Sequence, residues 1–164
     1  MEQKRSVLAG SSQPRAAGAT LLGPADPQAG VDVTVVLKPA HPIDDVALSE
    51  NALAPAAQRV FSNAGELAAP PDAIAAVNAF AASYELEVTG ADPIRRTVRL
   101  SGTVANLERA FGTTLNMYSL PTGERFRGRE GMVSVPASLA PFVTAVLGFT
   151  TLRSASPRDP TAPP

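Results

Sequence analysis

The chain has no cysteine, no tryptophan and one histidine among its 164 residues. Without thiols there is no disulfide framework, no Cys/His zinc site, no iron–sulfur cluster and no thiol nucleophile. The absence of cysteine suits any redox compartment. Charge is scarce as well: 14 Lys and Arg against 15 Asp and Glu leave a net −1, which provides no electrostatic drive toward nucleic acid or an anionic membrane. Aromatics make up 5%, and the apolar residues are mostly alanine and valine, so the expected core is small for the length. No run approaches the ~18 apolar residues of a membrane-spanning helix. The basic start at Lys4 and Arg5 is followed by a stretch broken by Ser11, Ser12, Gln13, Pro14 and Arg15, which is not a signal-peptide core.

Proline is plentiful, and its placement divides the chain, because it removes a backbone donor and is excluded from helix and central-strand interiors. Pro14, Pro24 and Pro27 mark residues 1–30 as an extended lead, and four prolines mark the C-terminal end as a linker. Between them, Val31, Val33, Val35 and Leu37 alternate with Asp32 and Thr34, the period of a strand with one buried face. Residues 39–71 read as a long crossover with a short helix near 63–68. Ile74, Val77, Phe80, Ala81 and Tyr84 fall at helical spacing behind Pro70 and Pro71, with Asp72 expected as its cap.

Leu86 and Val88, a turn at Gly90–Pro93, then Val98 and Leu100 predict a hairpin. Thr103 is placed to cap a helix whose Val104, Leu107, Ala110 and Phe111 share a face, with Gly112 as its left-handed stop. A fourth strand is expected at 115–118. The order strand, helix, strand, strand, helix, strand predicts an α+β fold, the ferredoxin-like split βαβ sandwich with a four-stranded antiparallel sheet and two helices on one face. That places a core at 31–119. An appendage of a β-hairpin and a short helix at 138–146 fills 120–149, and a linker runs over 150–164.

Catalytic candidates are few. His41 lies in a loop between Ala40 and Pro42 with no serine and carboxylate placed against it. Asp44 and Asp45 fall short of the oxygen ligands a cation loop needs, so neither a metal nor a cofactor is expected. The outward face of the hairpin carries Glu87, Thr89, Thr97, Arg99 and Ser101 where an RNA-binding sheet needs aromatics. Arg125, Arg127 and Arg129 alternate with Phe126 and Gly128. At strand spacing the three guanidinium groups share one face, either a solvated edge that blocks strand pairing or a docking stripe for an acidic partner.

Several stretches in order resemble the activation prodomain of sedolisins, the serine-carboxyl peptidases of the kumamolisin type. They are Val33–Leu37, Pro71–Val77, Val98–Gly102 running into Val104–Gly112, Phe126–Gly131 followed by Val133–Pro136, and Ala145–Phe149. The resemblance implies a non-catalytic propeptide, 31–149, that assists folding of a peptidase domain and then inhibits it until its C-terminal linker is cut in acid. It also implies secretion with the parent peptidase. The catalytic domain would follow the linker and is not in this chain. Ser101-Gly102-Thr103 resembles the start of the family's nucleophile sequence, but Val104 stands where the serine belongs, so no catalytic residue carries over.

The implied partner is the cognate peptidase domain, with a monomer otherwise, and no nucleic acid or membrane. The expected docking residues are Glu87, Thr89, Thr97, Arg99, Arg125, Arg127 and Arg129. The expected processing segment is Arg153, Ser154, Ala155, Ser156, Pro157 and Arg158. A stand-alone peptidase inhibitor of the same fold and a ferredoxin-like small-ligand module are the alternatives.

Overall fold

A computed structural model describes residues 4–41 and 67–152, with positions 53, 55 and 57 between them. The chain is α+β with antiparallel sheets. β1 (Arg5–Val7) pairs with β8 (Ser134–Pro136). β2 (Thr20–Pro24), β6 (Leu115–Ser119) and β7 (Arg125–Arg129) form a three-stranded sheet in that order. β4 (Glu87–Asp92), β5 (Thr97–Thr103), β3 (Gly30–Leu37) and β9 (Val143–Leu147) form a four-stranded sheet in that order. The helices are α1 (Pro71–Ser83) and α2 (Val104–Phe111).

β3 carries the pattern that organises this arrangement. Val31, Val33, Val35 and Leu37 are each at most 2% exposed, and burial of such a side chain is worth roughly 1.5–3 kcal/mol. Val98 and Leu100 of β5 extend the apolar face, with Leu100 opposite Val33 and Val98 opposite Val35. Ala73, Val77, Phe80 and Ala81 of α1 and Val104, Leu107, Ala110 and Phe111 of α2 belong to the same core. Phe111 is its aromatic centre, 5.3 Å from Phe80 and 5.5 Å from Phe149, edge-on to both.

α2 follows its sequence signals at both ends. The Thr103 hydroxyl accepts the Asn106 N–H at 3.3 Å, a cap worth about 1 kcal/mol. Gly112 closes the helix at φ 57°, in the left-handed region that glycine enters at least cost. α1 starts differently from expectation. Pro70 is the N-cap without a side-chain bond, and Asp72 lies within the first turn, where its charge favours the helix dipole.

Five expectations are corrected. Residues read as an irregular lead supply β1 and β2 and hold Leu8 and Ala25 in the core. The hairpin turn comes later than expected, at 93–96, with Arg96 at φ 56°. The strand at 115–119 does not complete the four-stranded sheet; it joins β2 and β7. The expected helix at 138–146 is a set of turns followed by β9, which takes the vacant edge beside β3. The appendage is therefore not separate, because its last strand belongs to the main sheet. The helix expected near 63–68 falls largely outside the described residues.

Arg5 ties the N-terminal strand to both helices. Its Nη2 donates to the Ala110 carbonyl at 2.6 Å and to the Ser134 carbonyl at 2.7 Å, its Nε to Ser134 Oγ at 3.0 Å and its Nη1 to the Tyr84 hydroxyl at 3.2 Å. A cation at the last turn of α2 also opposes the negative end of the helix dipole.

Phe111→Ala should lower stability by about 3–5 kcal/mol, whereas Ile94→Ala, at a 63% exposed turn position, should change it by less than about 0.5 kcal/mol. Urea unfolding of the two variants checks this.

Candidate docking surface

The helices cover one face of the four-stranded sheet and leave the other open. Residues paired across antiparallel strands share a face, so the open face can be read column by column. Glu87, Ser101 and Asp32 form one row; Gly90, Arg99, Thr34 and Leu147 form the next; Asp92, Thr97, Val36 and Ala145 form the third. The rows are polar toward β4 and apolar toward β9, where Leu147 is 58% exposed. Around Arg99 the surface dips into a groove of about 540 Å³ lined by Thr34, Gly90, Asp92, Arg95 and Thr97. A Cβ at residue 90 would lie 3.1 Å from Arg99 Nη2, so glycine there leaves room for the guanidinium to lie across β4.

The structure brings Glu87, Thr97 and Arg99 together on this face, as the hairpin pattern anticipated. Thr89 sits at a register shift between Val88 and Gly90, and its hydroxyl donates to the Arg99 carbonyl at 3.4 Å. Asp32, Thr34 and Leu147 belong to the same surface and were not singled out from sequence. Asp32 and Thr34 had a signal, the polar half of the β3 alternation. Leu147 had none, because it follows the expected helix at 138–146 in a short apolar run with no alternation to give it a face.

The three alternating arginines share a face of β7, opposite Leu115, Met117 and Ser119 of β6. That face turns inward along much of its length. Arg125 is exposed, Arg127 is intermediate and Arg129 is 8% exposed. Arg129 Nη1 donates to the Gly131 carbonyl at 2.7 Å, and its guanidinium stands over the Phe149 ring at 5.6 Å. Arg127 Nε donates to the Phe149 carbonyl at 3.2 Å. Burial lowers the pKa of both groups, and the Asp32 charge partly opposes this at Arg127. Arg129 is thus an internal contact, and Arg125 alone of the three stands free in solvent.

His41 is exposed, and among the described residues no three His, Cys, Asp or Glu side chains converge on a metal-sized site. Arg153–Arg158 lie outside the described residues. Among the described residues, no helix is long and apolar enough to cross a membrane.

The family model of the pro-kumamolisin activation domain matches residues 17–152. The chain belongs to this family. Kumamolisin of Bacillus sp. (strain MN-32) is 34% identical over 163 residues, which take in 95% of this chain and 29% of that protein. The chain therefore spans less than a third of that relative's length.

Residues 4–16 precede the matched stretch, yet this activation domain uses them structurally. Leu8 is buried, and Gln13 bridges to Gly131. Arg15 Nε donates to Glu130 Oε1 at 2.7 Å, and the Tyr118 hydroxyl donates to the same oxygen at 2.9 Å. Arg15 also stands over the Tyr118 ring at 5.8 Å, and that ring stacks on Phe126. The Arg15 hydrogen bond, then that of Tyr118, holds the Glu130 carboxyl below the usual carboxylate range against a desolvation that pushes it up.

A carboxyl with a depressed folded pKa contributes stability above its unfolded pKa of about 4.3 and loses it as pH falls through the folded value. Glu130→Gln should therefore be less stable than the wild type at pH 7, with the difference narrowing below about pH 4. Urea unfolding at pH 7 and pH 3 measures it, and a difference that stays constant contradicts the assignment.

Proposed function

We propose that the chain is the propeptide of a kumamolisin-type serine-carboxyl peptidase, serving as intramolecular chaperone and inhibitor and released when its C-terminal linker is cut at low pH. The family match across residues 17–152 carries this reading. The fold is read as ferredoxin-like, with β9 in the role first given to 115–118. β3, α1, β4, β5, α2 and β9 then make the split βαβ order, and β6, β7 and β8 are inserted before the last strand.

The open sheet face is the proposed contact with the peptidase domain. Its residues mix both charges with Thr, Ser and one exposed Leu, a composition suited to an interface that later separates. Arg99 supplies the cationic contact of this face, flanked by Glu87, Thr89 and Thr97, and the exposed Arg125 of β7 supplies a second one from the three-stranded sheet. Residues 150–164 form the linker, with processing within 153–158, and the protein is secreted with its parent peptidase. It acts as a monomer, without nucleic acid, membrane or cofactor.

Acid release follows from the chemistry of the pairs. Arginine keeps its charge at every relevant pH, while partner carboxylates lose theirs as pH falls below roughly 4–5. The attraction then disappears as each pair loses its anionic member.

Binding of the chain to a kumamolisin-type peptidase carrying an inactivating substitution tests this without digestion. The expected Kd rises at least about tenfold from pH 6 to pH 3, and Arg99→Glu raises it by a further factor of about ten or more at pH 6. Equal Kd values at the two pH values would overturn the acid-release step, and no binding at pH 6 would overturn the propeptide reading.

A further inference from the structure

After β9 the chain passes tightly against the backbone of β3. Gly148 permits this close approach: its φ is +105°, and a Cβ there would lie 2.6 Å from the Asp32 carbonyl oxygen and 3.2 Å from Val33 Cα. A side chain at this position is both strained and blocked. Phe149 then enters the core at 2% exposure, edge-on to Phe111 and beneath the Arg129 guanidinium. Its neighbours are taken up by β7. The Thr151 N–H donates to the Arg127 carbonyl at 2.9 Å, the Arg127 N–H donates to Thr151 Oγ1 at 2.8 Å, and Arg127 Nε donates to the Phe149 carbonyl at 3.2 Å.

Backbone and side chain of one residue thus hold two acceptors of the departing chain, the Phe149 carbonyl and the Thr151 hydroxyl, and one donor, the Thr151 N–H. The geometry points to Arg127 as the positioning residue that fixes the course of the C-terminal segment, so that the chain leaves from the edge of β7 and not from the end of β9. This rests on the reading of residues 150–164 as the connection to a peptidase domain. Under that reading, a fixed point of departure confines the tether to fewer paths and reduces the ordering entropy of seating it in a cleft. An arginine with its head in solvent would leave the Phe149 carbonyl without this donor, and residues 149–152 held by the Phe149 ring and the two bonds between Thr151 and the Arg127 backbone.

Hydrogen exchange on the 164-residue chain tests the role directly. Arg127→Ala should speed exchange of the Thr151 amide by about tenfold or more while the amides of Val33 and Leu100 keep wild-type protection. Unchanged protection of Thr151 overturns the proposal. Should Arg127→Ala open the whole domain, Thr151→Ala removes the hydroxyl acceptor without touching the core. It should speed exchange of the Arg127 amide, and wild-type protection there overturns the proposal equally. In parallel, Arg127→Ala should weaken binding to the inactivated peptidase about tenfold, while a wild-type chain that does not bind at all contradicts the propeptide reading and leaves the exchange result to decide on Arg127.

Discussion

Four side chains on one face of β3, Val31, Val33, Val35 and Leu37, are almost entirely withdrawn from water, and the rest of the domain is arranged around that burial. The strand sits between β5 and β9, so its backbone is paired on both sides while its apolar face is covered by α1 and α2. The alternation that hides these four residues necessarily turns Asp32, Thr34 and Val36 the other way. The open face exists because the buried face does. A one-residue slip of register would exchange the two surfaces and destroy the core and the open polar face together.

Aromatic contacts and arginines do the work that a larger core would do in a chain richer in big apolar residues. Phe80, Phe111 and Phe149 form a chain of tilted rings from α1 to the C-terminal segment. Arg5, Arg15, Arg127 and Arg129 each join segments distant in sequence. Arg5 closes the N-terminal strand onto the ends of both helices, and Arg127 and Arg129 close the C-terminal segment onto β7. Both termini of the described fold are thereby fastened by guanidinium groups, whose several donors in a fixed plane suit carbonyl oxygens that come from different elements.

The locally encoded parts were legible. The β3 alternation, the α2 face with Thr103 and Gly112 at its ends, and the helical spacing from Ile74 to Tyr84 each record burial within a single segment. What was not legible depends on partners far along the chain. Arg5–Val7 is three residues long, and its strand character comes from pairing with Ser134–Pro136. Val143–Leu147 is a short apolar run whose length and composition fit a helix or a buried strand equally, and the empty edge of β3 decides it. The spacing of Arg125, Arg127 and Arg129 showed that they share a face but not which way it points. Only the packing of β6 and β7 against the core places Arg129 inside and Arg125 outside.

The central claim is that the uncovered sheet face is where this activation domain meets a peptidase. Leu147 and Met132, 58% and 57% exposed, are reporters on and off that face, each compared with its own reactivity in the free chain. Hydroxyl-radical footprinting of the chain, alone and mixed with an inactivated kumamolisin-type peptidase at pH 6, compares them in one experiment. The account predicts that Leu147 becomes protected in the mixture while Met132 keeps its reactivity. Protection of Met132 with Leu147 still fully reactive would contradict it.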